Sequence, residues 1–235
     1  MKVRIKFKKF GAVRFIGHLD IMRYFQKSMR RAQIPIAFSG GYSPHPIMSF
    51  ANPLGVGLTS EGEYFDIELR EPISSEEAVA RLNAAMVEGI EVISFVQIAE
   101  EKKQTGMAIV AGADYLISIK DRILPDNWKE KVNAFLEQSE ILITKKTKRS
   151  EKEVDIKPMI YTFEPRKEDI YMQVAAGSVE NLKPGLVMEA FCRYLGIEIE
   201  TIDFDVCRLE VYADIGADGE RSLVSLESLG HFIIA

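Results

Sequence analysis

The chain has 235 residues, 47% of them hydrophobic and 28% charged, with a net charge of −5. That balance is ordinary for a globular protein, and the length suffices to bury a core without staples. Two cysteines, Cys192 and Cys207, exclude a disulfide scaffold, a Cys-rich zinc site and an iron–sulfur cluster held by this chain's thiols alone. No apolar run approaches the ~18 residues that span a bilayer. The opening MKVRIKFKKF alternates charge and apolarity and lacks the continuous apolar stretch of a signal peptide. A cytoplasmic, reducing setting with no membrane contact is expected.

Taken in chain order, Val3, Ile5 and Phe7 alternate with Lys2, Arg4, Lys6 and Lys8, which predicts a strand with one buried face. Leu19, Met22, Phe25, Met29 and Ala32 recur at helical spacing, and Pro35 ends the helix. Residues 36–62 form a long Gly/Pro-rich connection with a short strand around Ile47–Ala51. Phe65, Ile67 and Leu69 alternate with polar neighbours in a further strand. Ser74 and Glu77 form a capping box opening a helix that Gly89 stops, and Ile90–Ile98 is a strand. The order is β-α-β-β-α-β, the ferredoxin-like arrangement.

Residues 99–112 read as a linker, after which the order repeats. Tyr115, Ile117 and Ile119 predict a strand, and Asp126 caps a helix carrying Trp128, Val132, Phe135 and Leu136. Ile141–Thr144 is a strand running into Lys145, Lys146, Lys148 and Arg149. Residues 154–176 hold strand material broken near Pro165. Val187, Ala190, Phe191, Tyr194 and Leu195 mark a helix stopped by Gly196. Cys207, Leu209 and Val211 line the apolar face of a last strand, with Val206, Arg208 and Glu210 opposite. The expected class is α+β, with two tandem ferredoxin-like domains at residues 1–100 and 113–215 and a tail at 216–235 that docks through its apolar end.

The chemistry starts from charge. Residues 1–50 carry ten Lys and Arg side chains and one acid, Asp20, so a basic segment sits on an acidic chain. Such a segment is the electrostatic footprint of a polyanion partner, or it pairs with acids from later elements. The sheet of a ferredoxin-like domain has helices on one face, so Arg4, Lys6 and Lys8 are expected on an open face. The segment from Arg14 to Asp66 is the densest. It holds GHLD (17–20), Arg30–Arg31 and SGGYSPHP (39–46). Glycines let backbone N–H groups approach an anion, a helix N-terminus adds a positive dipole end, and arginines grip phosphate. The expected RNA- or phosphate-binding set is Arg14, His18, Arg23, Arg30, Arg31, Gly40, Gly41, Tyr42, His45 and Phe50, together with Lys145, Lys146, Lys148 and Arg149. In it Tyr42 and Phe50 stack on bases. His18 and His45 are alternatively a general base and acid for RNA cleavage. No metal-ligand spacing, phosphate-binding loop or dinucleotide fingerprint is present.

The string VRFIGHLDIMRYFQKSMRRAQIPIAFSGGYSPHPIMSFANPLGVGLTSEGEYFDIEL, Val13 to Leu69, resembles a bacterial family of radical-SAM-linked proteins of unknown function. The likeness continues more loosely through EVDIKP (153–158), NLKP (181–184) and CRLEVY (207–212). Ile47 stands where members often carry a base. The resemblance implies a partner enzyme that carries the iron–sulfur cluster and S-adenosylmethionine, with no cofactor on this chain. It supplies no catalytic residues. The expectation is a non-catalytic accessory that binds RNA, tRNA or rRNA, beside a radical SAM enzyme in modification or processing. Two alternatives stay open: a metal-independent endonuclease using His18 and His45, and a pure protein-interaction module for the radical SAM partner.

Overall fold

The computed structural model describes residues 1–101, 105–120, 124–146, 151–197, 204–217 and 219–234. In chain order the elements are β1 (Lys2–Lys9), α1 (His18–Arg31), β2 (Met48–Ala51), β3 (Thr59–Glu68), α2 (Ser75–Ala84), β4 (Ile90–Gln97), α3 (Gly106–Ile109) and β5 (Val110–Ile119). They continue with α4 (Trp128–Leu136), β6 (Leu142–Lys146), β7 (Glu151–Asp155), β8 (Ile160–Arg166), β9 (Asp169–Ala175), α5 (Pro184–Tyr194), β10 (Phe204–Asp214), β11 (Leu223–Ser225) and β12 (His231–Phe232). Helices and strands are mixed, as an α+β class requires. Two compact units form: Met1–Gly112 with Arg208–Ala235, and Ala113–Cys207.

In the first unit β1 is central and antiparallel to both β3 and β4, and β2 pairs antiparallel with β3. The neighbours run β4-β1-β3, with β2 and β10 both beside β3. Alternation along β1 sends Val3, Ile5 and Phe7 to one side. There Phe25 and Met29 of α1 and Ala78 and Leu82 of α2 join them in one core. Four aromatic rings form its centre: Phe7–Phe25 at 4.8 Å, Phe25–Phe65 at 4.6 Å and Phe50–Phe65 at 4.9 Å between centroids. The edge-on and offset packing adds to the burial of the largest apolar side chains. Ser74 caps α2 by accepting a hydrogen bond from the Glu77 amide at 3.2 Å. The Glu77 carboxylate pairs with Arg81 one turn on.

The other side of β1 is not open. Arg4 is 1% exposed. It grips Asp66 through two hydrogen bonds of 2.8 and 3.0 Å and donates a third to the Leu226 carbonyl at 3.1 Å. Lys6 donates to Glu210 at 2.7 Å and Glu227 at 3.1 Å, and Lys8 pairs with Glu61. Burial pulls the Lys6 ammonium down, but the two glutamates outweigh it and hold its pKa above the usual value. The expected open basic face is therefore a set of ion pairs, and the residues after 216 supply part of it. That segment runs through β11 beside β10, a 3-10 turn (Leu226–Leu229) and β12 on the edge of β4. Gly230 passes so close to β4 that a Cβ would stand 2.5 Å from a Val96 methyl. Ile233 then exchanges hydrogen bonds with Ser75.

Residues 106–112, expected as linker, form α3 and the start of β5. The Gly106 amide donates to Asp66 at 2.7 Å, and a Cβ there would lie 2.8 Å from that of Ala51. Only glycine allows α3 this close. In the first half of β10 the alternation is the reverse of expectation, with Val206 and Arg208 buried and Cys207 half-buried; the phase then shifts at 209–210, and Val211 is buried as expected.

In the second unit the neighbours run β10-β5-β9-β8, and β6 with β7 make a separate two-stranded sheet. The strand expected at 141–144 thus belongs to a hairpin of its own. Asn127, not Asp126, is the residue before α4, and no side chain caps it. Pro165 lies inside β8 opposite Ile170, and the turn falls at Lys167, whose φ is 57°. Phe135, Phe163 and Phe191 form the aromatic centre, with centroids 5.1–5.6 Å apart.

Candidate nucleic-acid interface

α1 begins at His18, with Gly17 as its N-cap. Its inner stripe is Ile21, Phe25, Ser28 and Met29. Its outer surface carries Arg23, Lys27, Arg30 and Arg31 against one acid, Asp20. Arg23 pairs with Asp20 at 3.2 Å, three residues back on an exposed face, a contact worth little in water. Arg30 is exposed in the last turn. Arg31 is engaged locally: it donates to Ser28 at 2.7 Å and to the Ala85 carbonyl at 3.2 Å, and it lies over the Tyr24 ring. Three cations, Arg23, Lys27 and Arg30, therefore form the outward stripe at spacings of four and three residues.

The connection after α1 is pinned before it opens out. Ala37 donates to the Glu68 carbonyl and Ile47 to that of Ala37, at 2.7 and 2.9 Å. Phe38 bridges Pro46. The Ser39 amide donates to the His45 carbonyl at 2.9 Å, and the His45 amide returns a bond to Ser39 Oγ at 3.1 Å. The His45 Nδ1 lies 2.9 Å from the same hydroxyl. Above this stem, Gly40 and Gly41 turn the chain, Gly41 with φ of 97°, and Tyr42 at the tip is fully exposed. Phe38, at the base of the stem, is 52% exposed. A fixed stem with an aromatic tip suits a stacking contact.

His18 and His45 have different surroundings. The His18 ring stands edge-on to Phe50, with centroids 5.1 Å apart, and burial lowers its pKa. The hollow beside it, lined by Phe7, Lys9, Ile21, Leu54 and Glu63 among others, has a volume of about 10 Å³, room for one water. His45 is exposed and bonded to Ser39. No described contact joins the two rings. Arg14 lies over the Phe15 ring at 4.9 Å, and its carbonyl accepts the Gly57 amide at 2.8 Å. Phe50 is a core residue, 5% exposed, and offers no face to a base. Lys148 and Arg149 lie outside the described residues, as do the side chains of Lys145 and Lys146.

Sequence reasoning missed a buried charge cluster under α1. Arg208 donates to Glu63 at 2.7 Å and to the Asn52 carbonyl at 2.8 Å. Lys9, also buried, donates to the Ile16 carbonyl at 3.0 Å. Burial pushes the Glu63 carboxyl up against the opposing pull of Arg208, and burial lowers the Lys9 ammonium. Only the lone Lys9 on the apolar side of β1 hinted at it. In the second unit, a groove of about 550 Å³ lies among α4, α5 and the β6–β7 hairpin, lined by Phe135, Glu140, Glu153, Arg193 and Tyr194 among others. Among the described residues, no three His, Cys, Asp or Glu side chains are placed to hold a metal ion, and no helix is long and apolar enough to cross a membrane.

The chain is thus an α+β protein whose first unit presents a basic helix and an aromatic-tipped loop. Residues 2–184 match the family described as "Uncharacterized protein conserved in bacteria (DUF2344)", and the chain belongs to it. No curated protein matches the chain.

Proposed function

We propose that this protein is a non-catalytic, RNA-binding accessory that works with a radical SAM enzyme on tRNA or rRNA in the cytoplasm. The observation that carries the RNA reading is the outer stripe of α1, Arg23, Lys27 and Arg30, on a helix with a single acid. Cations at helical spacing follow a phosphate backbone, and Tyr42 on its pinned loop supplies a flat surface for an unpaired base. The enzyme partner rests on the sequence resemblance between Val13 and Leu69. With two cysteines, the chain leaves the iron–sulfur chemistry to that partner.

We further read each unit as ferredoxin-like. The β4-β1-β3-β2 order of the first and the β10-β5-β9-β8 order of the second support this, with the β6–β7 hairpin as an insertion before the second strand of the later unit.

The test is fluorescence anisotropy of labelled tRNA and rRNA fragments with the full chain, at several salt concentrations. The triple variant Arg23→Ala/Lys27→Ala/Arg30→Ala should bind more weakly. Its log-affinity against log-salt slope should fall by about 0.7–0.9 for each phosphate that is no longer neutralised. Tyr42→Ala should weaken unpaired RNA more than duplex. Unchanged affinity in a folded triple variant would remove the RNA assignment.

A further inference from the structure

Four apolar side chains stand in solvent around the start of α1, and the RNA reading uses none of them. Phe15 is 63% exposed, Leu19 59%, Val56 59% and Ile16 40%. Three of them fall within residues 15–19, and the fourth lies on the loop that packs against that stretch. Phe15 and Ile16 lead into Gly17, and Leu19 follows in the first turn of the helix. The Val56 methyl lies 4.0 Å from where a Cβ on Gly17 would stand. The Gly57 amide is bonded to the Arg14 carbonyl, which holds the 55–57 loop against the turn. The periodicity of α1 places Leu19 with the core, yet the buried residues begin at Ile21.

A cluster of exposed apolar side chains on a charged surface marks an interaction site. Its composition selects the occupant. Three of the four side chains are aliphatic and suit interdigitation with the aliphatic side chains of a helix, whereas bases need flat platforms. One face of Phe15 is already covered by the Arg14 guanidinium. The charges at the rim are cationic: Arg14 beside Phe15, then Arg23 one turn beyond Leu19 and Lys27 one turn further. Asp20 is the single acid of the helix and is turned to Arg23. A second copy would bring cations against cations.

We propose that this surface docks an acidic amphipathic segment of a partner protein. Its aliphatic residues sit on Phe15, Ile16, Leu19 and Val56, and its carboxylates face Arg23 and Lys27. The proposal does not depend on RNA binding, but Arg23 and Lys27 belong to both surfaces, so phosphate and protein would compete there.

The test uses the full chain and a fluorescein-labelled amphipathic peptide with leucines at helical spacing and glutamates elsewhere. A counterpart carries lysines for the glutamates. The Glu peptide should bind, the Lys peptide should not, and Leu19→Glu/Val56→Glu should weaken binding by about tenfold or more. Arg23→Ala should weaken it by less, and Tyr42→Ala should leave it unchanged. Circular dichroism and melting establish that the exposed-site variants fold, and Leu19→Ser serves as a milder replacement. Equal binding of the Lys peptide, no binding of the Glu peptide, or no effect of the double variant overturns the proposal. Preferential binding of anionic phosphatidylglycerol vesicles does the same, as does self-association abolished by Leu19→Glu. If the double variant loses RNA rather than peptide affinity, the patch belongs to the RNA surface. In that case the docking assignment fails while the RNA reading stands.

Discussion

At the scale of single residues, the buried cluster of Lys9, Glu63 and Arg208 makes the sharpest demands. It holds two cations and one anion, and the Glu63–Arg208 pair is balanced without Lys9. Glu63→Gln removes the carboxylate that Arg208 grips and should destabilise the protein by about 3–5 kcal/mol, read from urea midpoints. Lys9→Met removes the unbalanced charge and should be neutral or stabilising on the same measurement. His18 gives a pH dependence with a definite sign. Its folded pKa lies below the ordinary 6.5 because burial disfavours the imidazolium. Between those values the unfolded chain holds the extra proton, so stability rises with pH there and is lost as pH falls through the depressed folded value. His18→Gln should flatten that limb of urea midpoint against pH. Phe50 and Tyr42 separate packing from presentation: Phe50→Ala should cost about 3–5 kcal/mol, and Tyr42→Ala less than about 0.5. Tyr42 is legible in the sequence because glycines and prolines surround it. Phe50 reads wrongly as a stacking residue because β2 is four residues long, too short for its alternation to show which face is buried. Arg208 reads wrongly as exposed because a two-residue period assigns every long charged side chain to solvent. Its carboxylate partner sits 145 residues earlier.

At the scale of elements, amphipathic strands and helices are readable where one face meets the core and the other meets water. β1, α1 and α2 obey that rule over most of their length. It fails at α3, since one turn of helix shows no period, and at the start of α1, where Leu19 follows the helical pattern but not the core. It fails again at β6 and β7, which form a two-stranded sheet of their own among the described residues and so leave no mark on the order of the larger sheet. α3 is held by a close approach that a side chain would spoil. Gly106→Ala must move Ala51 or break the Gly106–Asp66 bond, and it should cost about 1–3 kcal/mol. The release of Asp66 should be visible as a changed environment for the Arg4 guanidinium in NMR.

At the scale of the whole molecule, the mixture of helices and strands can be read from the chain, but the path of residues 208–217 and 219–234 cannot. Their apolar end announces docking without naming a site. The site is set by backbone complementarity at the β4 edge and by charges on β1, neither of which has a local signature. Deleting residues 226–234 should strip Leu226 from the core, remove one partner of Lys6 and bare the β4 edge. The expected result is a lower melting temperature, with light scattering that grows with concentration as exposed edges pair. The interrupted first unit has a consequence for biosynthesis. Its opening 112 residues leave the ribosome before the second unit, Ala113–Cys207, has been made. At about 5–20 residues per second, the closing segment follows on the order of 5–20 s later. For that interval Lys6 has neither Glu210 nor Glu227, and Arg4 lacks the Leu226 carbonyl. The nascent chain therefore passes through a stage more cationic than its finished form, within reach of the ribosome's own RNA.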